Sequence, residues 1–427
     1  MPAWVPEPTA WQATVLLAAA AAFLSFRAVF GRRKHRRLAA DRRRLRALSG
    51  SPLADGRATA NRVTCLLDRD GIEAHNALVA GIRGARRRIS IGTYILAHDA
   101  VGRSLVRLLA ERARQGVEVR VLVDAVGSRF LPWTAGALLR RAGARLVRFN
   151  PFLTLRGRGS ANWRNHRKIA VFDGTTALVG GQNLGGRYIG SNPSRRRFRD
   201  ASFLIEGPAA AALERIFIVD WCQASGEQPE DHRDLLAESP AEGGPERVGV
   251  VDSGPDAPGD PLRARLMREL AGARGSIDLV TPYFIPDEAL LALLESKARA
   301  GIRVRLVVPR RSDHPITDLA RRSALRRLHA AGGEVLLHGP GILHAKLVVV
   351  DGARAMVGSA NLDMRSLYLN YEVAAWIEGG EATGRILGHV DALAAESRRH
   401  DPHRADRAMR WDERILEGLA RLIANQL

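Results

Sequence analysis

The sequence predicts an α/β protein: two tandem α/β domains related by a pseudo-two-fold axis, preceded by one N-terminal transmembrane helix. Three observations carry this. "NHRKIAVFDGTTALVGGQN" at 165–183 and "LHAKLVVVDGARAMVGSAN" at 343–361 are two copies of one spaced pattern. Strand-like and helix-like stretches alternate in the same order ahead of each copy, as in a duplicated domain. An uncharged run of 19 residues, "PTAWQATVLLAAAAAFLSF" at 8–26, lies near the start.

As a helix that run would span about 28 Å, close to the hydrocarbon thickness of a bilayer. The basic cluster "RRKHRR" follows it instead of preceding it as in a signal peptide. The positive-inside rule then places residue 32 onward on the cytoplasmic side, with Trp4 and Trp11 at the outer interface. Residues 27–50 hold ten Lys or Arg against one Asp. This stretch suits anionic headgroups, and its net +9 is a large share of the +20 charge that would otherwise suggest nucleic acid. The segment 1–50 is therefore read as anchor and basic juxtamembrane region.

The first domain is read over 51–223. "RISIGTYI" (88–95) reads as a strand, "AVGRSLVRLLAERARQG" (100–116) as an amphipathic helix closed by Gly116, and "VEVRVLVD" (117–124) as the next strand. Residues 224–246, rich in Pro, Gly and Glu, read as a linker. The second domain, 247–427, repeats the order: strand "SIDLVTPYF" (276–284), helix "DEALLALLESKARAG" (287–301), strand "IRVRLVVP" (302–309). Each half then adds a helical stretch and a strand, "ARLVRFN" or "EVLLHG", before its repeat. Phe, Trp and Leu in 129–139 and 150–155 suit either core packing or insertion into a lipid interface.

Within each repeat, His and Lys two residues apart on a strand emerge on one face. These are His166 and Lys168, then His344 and Lys346. Asp-Gly follows as a turn signal at Asp173 and Asp351, and the returning strand brings Asn183 or Asn361 back to the His end. The chain has 65 basic residues but only four Lys, and two of them occupy this motif position. A compact point charge is evidently wanted there. Cys65 and Cys222 lack ligand spacing and read as buried thiols.

If the halves pack about a two-fold axis, two imidazoles, two ammonium groups and two amides meet in one cleft. Cations and amides suit a phosphodiester whose charge concentrates during substitution. One imidazole attacks phosphorus; the other serves as acid and then base. A histidine nucleophile needs a carboxylate on its other nitrogen. Asp200 and Glu372, at equivalent places after each repeat, are the candidates. Asp173 and Asp351, part of the motif signature, lie at the far end of the hairpin and read as turn-fixing. No carboxylate cluster accompanies the motifs, so neither metal nor cofactor is expected.

These motifs resemble the phospholipase D superfamily, named for its His-Lys-Asp signature, over roughly 60–400. "WRNHRK", "TPYFIPDE" (281–288), "SDHP" (312–315) and "LHAKLVVVDGARAMVGSANLDMRS" narrow the resemblance to bacterial cardiolipin synthases. The resemblance implies transfer of a phosphatidyl group from one phosphatidylglycerol to another through a phospho-histidine, with glycerol released. His166 would be the nucleophile and His344 the acid and base. It also implies a protein of the bacterial inner membrane, with anionic lipids as partners and no nucleic acid; the single N-terminal span departs from the two of many relatives. Gly181 stands where the signature has Ser, and Phe198 where Trp is common. A phospholipase D hydrolase, a phosphatidylserine synthase and a nuclease share the constellation; a non-enzymatic membrane scaffold would not need two intact motifs.

Overall fold

A computed structural model describes residues 58–151, 162–237 and 243–401, apart from 258 and 340, with a few isolated positions outside them. The apolar run at 8–26 lies outside the described residues. No described helix is long and apolar enough to cross a membrane.

The first half runs β1 (Thr59–Leu66), α1 (Ile72–Gly84), β2 (Arg88–Thr93), α2 (Ala100–Arg114), β3 (Glu118–Asp124), α3 (Trp133–Arg141), β4 (Arg145–Phe149), β5 (Ile169–Phe172), β6 (Thr176–Gly180), β7 (Ser202–Glu206) and α4 (Pro208–Ser225). A 3-10 turn (Pro229–His232) and α5 (Arg233–Ala237) follow. The stretch read as a linker is thus partly built: Pro229 and His232 are buried, and Trp221 Nε1 donates to Glu227 at 3.0 Å.

The second half runs β8 (Glu246–Ser253), α6 (Pro261–Ala271), β9 (Ser276–Val280), β10 (Phe284–Ile285), α7 (Glu288–Arg299), β11 (Arg303–Pro309), α8 (Pro315–Ala320), α9 (Arg322–Ala330), β12 (Glu334–His338), β13 (Leu347–Val350), β14 (Arg354–Gly358), β15 (Leu362–Asp363), α10 (Met364–Tyr368), β16 (Glu372–Glu378), α11 (Gly380–Ala395) and β17 (Ser397–Arg399).

Fifteen strands form one sheet in the order β4-β3-β2-β5-β6-β7-β1-β8-β16-β14-β13-β9-β11-β12-β17. Apart from the added edge strand β17, the order reads the same from both ends, which is the two-fold relation of the halves written in strand pairing. The seam is the antiparallel pair β1–β8, with Thr59 opposite Val248 and Asn61 opposite Glu246. Apolar side chains from both sides of this seam share one cluster, among them Phe203, Ile205 and Leu213 with Val250, Val373 and Ile386. Separating the halves would expose that core to water.

Local choices repeat as well. Asp99 and Asp287 cap α2 and α7, accepting from Gly102 N and Leu290 N. These Asx caps satisfy amides that no earlier turn can reach. Beyond the caps, α2 buries Leu105, Val106, Leu109 and Ala110, the face spaced at helical period in the sequence. In both hairpins the Asp-Gly pair has positive φ: Asp173 53° and Gly174 76°, Asp351 53° and Gly352 63°. That left-handed geometry fits the strand twist, and Asp and Gly tolerate it best. Cys65 and Cys222 are free and buried, which pushes their thiols up to about 11 and about 12.

Asp173 and Asp351 act beyond the turn. The Asp173 carboxylate accepts from the backbone amides of Arg86, Arg87 and Arg88, and Asp351 from those of Arg274, Gly275 and Ser276. Each ties its hairpin to the start of β2 or β9. Replacing Asp173 by Ala is expected to lower unfolding free energy by about 1–3 kcal/mol, the range for charged hydrogen bonds to backbone. Urea titration of the two proteins checks this; an unchanged midpoint at equal slope overturns it.

Candidate functional site

The hairpins leave His166 and Lys168, and His344 and Lys346, just ahead of β5 and β13, not on the paired strands as the spacing suggests. The reason lies in the other half. His166 N donates to Tyr371 O at 2.9 Å, and Asn165 bridges Tyr371 in parallel fashion. The equivalent contact is Leu343 with Arg199, and His344 N donates to Arg199 O at 2.6 Å. Each motif histidine therefore registers against the residue preceding the carboxylate of the opposite half.

This register pairs the carboxylates crosswise. His166 Nδ1 lies 2.9 Å from Glu372 Oε1, and His344 Nδ1 lies 2.5 Å from Asp200 Oδ2. An ionised carboxylate only accepts, so Nδ1 carries the proton in each ring and leaves the Nε2 lone pair available. Both histidines line one cavity of about 140 Å³ with Asn183, Asn361, Tyr94, Tyr188 and Tyr283. Tyr94 sets its ring edge to His166 at 5.1 Å, and Tyr188 approaches His344 at 5.5 Å.

The lysines fold back behind their histidines. Lys168 Nζ donates to His166 O at 2.7 Å, and Lys346 Nζ donates to His344 O and lies 2.9 Å from His344 Nδ1. Burial leads the electrostatics throughout. It drives His166 down to about 4 against the pull of Glu372, with Lys168 adding to the fall, and it lowers His344 likewise. Both imidazoles are thus neutral at pH 7 before an anion arrives. Burial also lowers Lys168 to about 7 and lowers Lys346, partly offset by Glu372 and Asp200. For Glu372, burial pushes upward, but His166, Lys168 and the hydroxyl of Ser359 hold its carboxyl below the usual range. Two lysines whose charged form burial disfavours, two imidazoles and two amides make a site in which a compact oxyanion would stabilise the protonated lysines.

The amides differ in their tethers. Asn183 Oδ1 accepts from Ile95 N at 3.1 Å, whereas the buried Asn361 Oδ1 has no hydrogen-bond partner. Asp173 and Asp351, which share the motif signature with the histidines, are not brought into the cavity. Although they share that signature they are not reacting groups of the cavity; they tie backbone segments, since the hairpin length separates them from its open end.

Sequence reasoning missed several residues of the site. Arg167 is buried, and it donates to Asp220 at 2.5 Å, Asp252 at 2.8 Å, and the carbonyls of Ser253 and Glu372. It clamps both halves behind the histidines. Its sequence signals are its place in "WRNHRK" and the contrast with Ala345 in the other copy. Arg164 and Arg365 line the cavity, as does Asp313, which accepts from Tyr283 Oη at 2.6 Å. Phe198, the departure from Trp, is buried 5.7 Å from the His344 ring.

The two halves handle their carboxylates differently. Ser359 Oγ donates to Glu372 at 2.5 Å, a bond the longer Glu side chain permits. At Gly181, the equivalent position, a Cβ would lie 2.2 Å from Asp200 Oδ1. The shorter Asp keeps its carboxylate over its own backbone, where a Ser side chain would have to sit.

The profile of the family described as "Cardiolipin synthase, PLD-like domain" matches residues 78–221 and 266–393. A cardiolipin synthase of Geobacillus kaustophilus is 36% identical over 83% of this chain and 70% of its own length. The major cardiolipin synthase ClsA of Bacillus subtilis is 38% identical over 72% of this chain and 64% of its own. The chain thus spans about two thirds of such relatives. Among solved structures, a phosphatidylserine synthase of Haemophilus influenzae superposes with TM-score 0.67 at 14% identity, covering 89% of this chain and 99% of that one, a likeness of fold.

Gly181→Ser is expected to push Asp200 off His344 and lower kcat by roughly 10²–10⁴-fold, the range for losing a histidine-orienting carboxylate. The paired change Gly181→Ser with Asp200→Glu, which copies the second half, should recover part of it. Steady-state kinetics of the single and double variants check this; full activity in the single variant overturns the steric account.

Proposed function

The chain belongs to the cardiolipin synthase family of phospholipase D-like proteins, and from that membership we propose that it joins two phosphatidylglycerol molecules into cardiolipin and releases glycerol. It is a phosphatidyltransferase acting through a phospho-histidine. The observation that carries this reading is the crosswise pairing of His166 with Glu372 and His344 with Asp200 around one cavity.

The Nε2 lone pair of His166 attacks phosphorus, and the bond from phosphorus to the glycerol headgroup oxygen breaks. His344, protonated once the phosphate's charge offsets its buried lysine neighbour, gives that oxygen its proton. The acceptor's primary hydroxyl then loses its proton to His344, attacks phosphorus and displaces His166. Two phosphatidylglycerols thereby yield one cardiolipin and one glycerol, and both histidines return to their first state. Asn183 and Asn361 reach the non-bridging oxygens, where charge grows in the transition state, and Lys168 and Lys346 behind the histidines add positive potential. Glu372 and Asp200 keep each ring in the tautomer that directs Nε2 to phosphorus.

The segment 8–26 anchors the protein in the bacterial inner membrane in this reading, with the catalytic body on the cytoplasmic side. Its uncharged run and the basic residues that follow support that placement.

His166→Ala should abolish turnover of phosphatidylglycerol, roughly 10⁴-fold or more, together with covalent trapping of the phosphatidyl group. His344→Ala should slow turnover yet still permit trapping from a substrate with an activated leaving group. Mass analysis of quenched protein locates the label; a label on residue 344 and not 166 reverses the roles. Deleting residues 1–50 should remove stable membrane association while detergent-solubilised phosphatidylglycerol is still converted. Sedimentation with vesicles and product analysis check both, and a folded truncated protein without solubilised activity overturns the anchor reading.

A further inference from the structure

Among the described residues, three large hydrophobic side chains are left exposed: Phe130 at 75%, Trp133 at 79% and Ile316 at 46%. They are not scattered. Phe130 and Trp133 fall in and just beyond the loop after β3, and Ile316 falls just beyond the loop after β11, the strand that matches β3 in the mirrored sheet order.

Each loop braces the cleft tyrosine of its own half. Gly127 packs so closely on Tyr94 that a Cβ would lie 2.3 Å from the Tyr94 carbonyl, and Ser128 Oγ donates to that carbonyl at 3.0 Å. In the second half Asp313 accepts from Tyr283 Oη at 2.6 Å. Phe130 stands three residues after Gly127, and Ile316 three residues after Asp313. Tyr94 and Tyr283 line the reaction cavity, as do His314 and Thr317 on either side of Ile316. The two loops follow matching strands, β3 and β11, so the pseudo-two-fold relation of the halves makes them counterparts about that cavity.

The charge on these loops has one sign outward. Arg129, Arg310 and Arg311 are exposed, and the Arg129 guanidinium lies 4.4 Å from the Phe130 ring centroid. The segment 125–134 holds no carboxylate. Those near Ile316 are engaged inward: Asp313 on Tyr283, and Asp318 on Ser312 N and Arg321. Exposed aromatic and aliphatic side chains interleaved with arginine complement an anionic lipid surface, with apolar groups entering the acyl boundary and guanidinium groups meeting phosphate.

We propose that these two loops form a membrane-docking rim, in which Phe130, Trp133 and Ile316 enter the anionic bilayer surface and hold the cleft mouth against its lipid substrate. The inference rests on the lipid substrate proposed above and is separate from the N-terminal segment, because it concerns the catalytic body. The rim lets a headgroup pass from bilayer to cleft without crossing water, which an anchor at the chain's start does not provide.

The test uses the full chain and its variant Phe130→Ser/Trp133→Ser/Ile316→Ser, all at exposed positions. On phosphatidylglycerol vesicles kcat/KM should fall by about tenfold or more, while on short-chain phosphatidylglycerol dispersed as monomers it should stay within about twofold. Equal loss on both substrates, or none on vesicles, overturns the rim. A second readout needs no turnover: Trp133 emission, taken as the difference between the full chain and Trp133→Phe, should be quenched by vesicles carrying brominated acyl chains. Quenching without turnover would retain the rim and reject the proposed substrate; unquenched Trp133 emission overturns the rim whatever the substrate.

Discussion

The crosswise carboxylate–imidazole contact is the constraint on which the rest of the architecture depends. A reactive histidine here is oriented by a carboxylate from the opposite half, His166 by Glu372 and His344 by Asp200. Neither half is chemically complete. The halves must therefore be held in register to within a hydrogen-bond length, which a flexible linkage between two beads would not achieve. The β1–β8 seam, the apolar cluster that crosses it, and Arg167 reaching both Asp220 and Asp252 supply that rigidity. Packed interiors transmit displacement instead of absorbing it, so positions on the seam far from the cleft set the histidine–carboxylate geometry within it.

Symmetry holds in the order of the central strands and relaxes in the side chains. The strand order, the positive-φ Asp-Gly turns and the Asp caps repeat, because each solves the same local problem in both halves. Around the histidines the copies diverge: Arg167 against Ala345, Gly181 against Ser359, Asp200 against Glu372. Those differences make the two imidazoles unequal, which suits the proposed transfer, in which one bonds to phosphorus and the other moves protons. The single Asp313–Tyr283 contact adds a further asymmetry on the His344 side of the cleft.

The electrostatics follow from burying four basic groups together. Desolvation lowers both lysines and both histidines, so charging any of them carries a cost that an anionic phosphodiester would relieve. Glu372, Asp200 and the amides keep this cluster tolerable. The arrangement favours a substrate that brings negative charge and excludes water as it enters, as a lipid phosphate delivered from a bilayer does.

Much of this was legible in the order of residues. Duplication, the α/β class, the two His-Lys pairs, the Asp-Gly turns and the two candidate carboxylates are local or periodic features, and local physics writes them directly into sequence. What sequence could not assign was which carboxylate serves which histidine, because that depends on contacts 144 and 206 residues apart along the chain. It likewise left Arg167 unnoticed, since a buried arginine is recognised only by the two acids that meet it. The placement of His166 and His344 ahead of the ladder was decided by strand length and by pairing across the seam. Local preference determines which elements form; only their packing determines which side chains share a cavity.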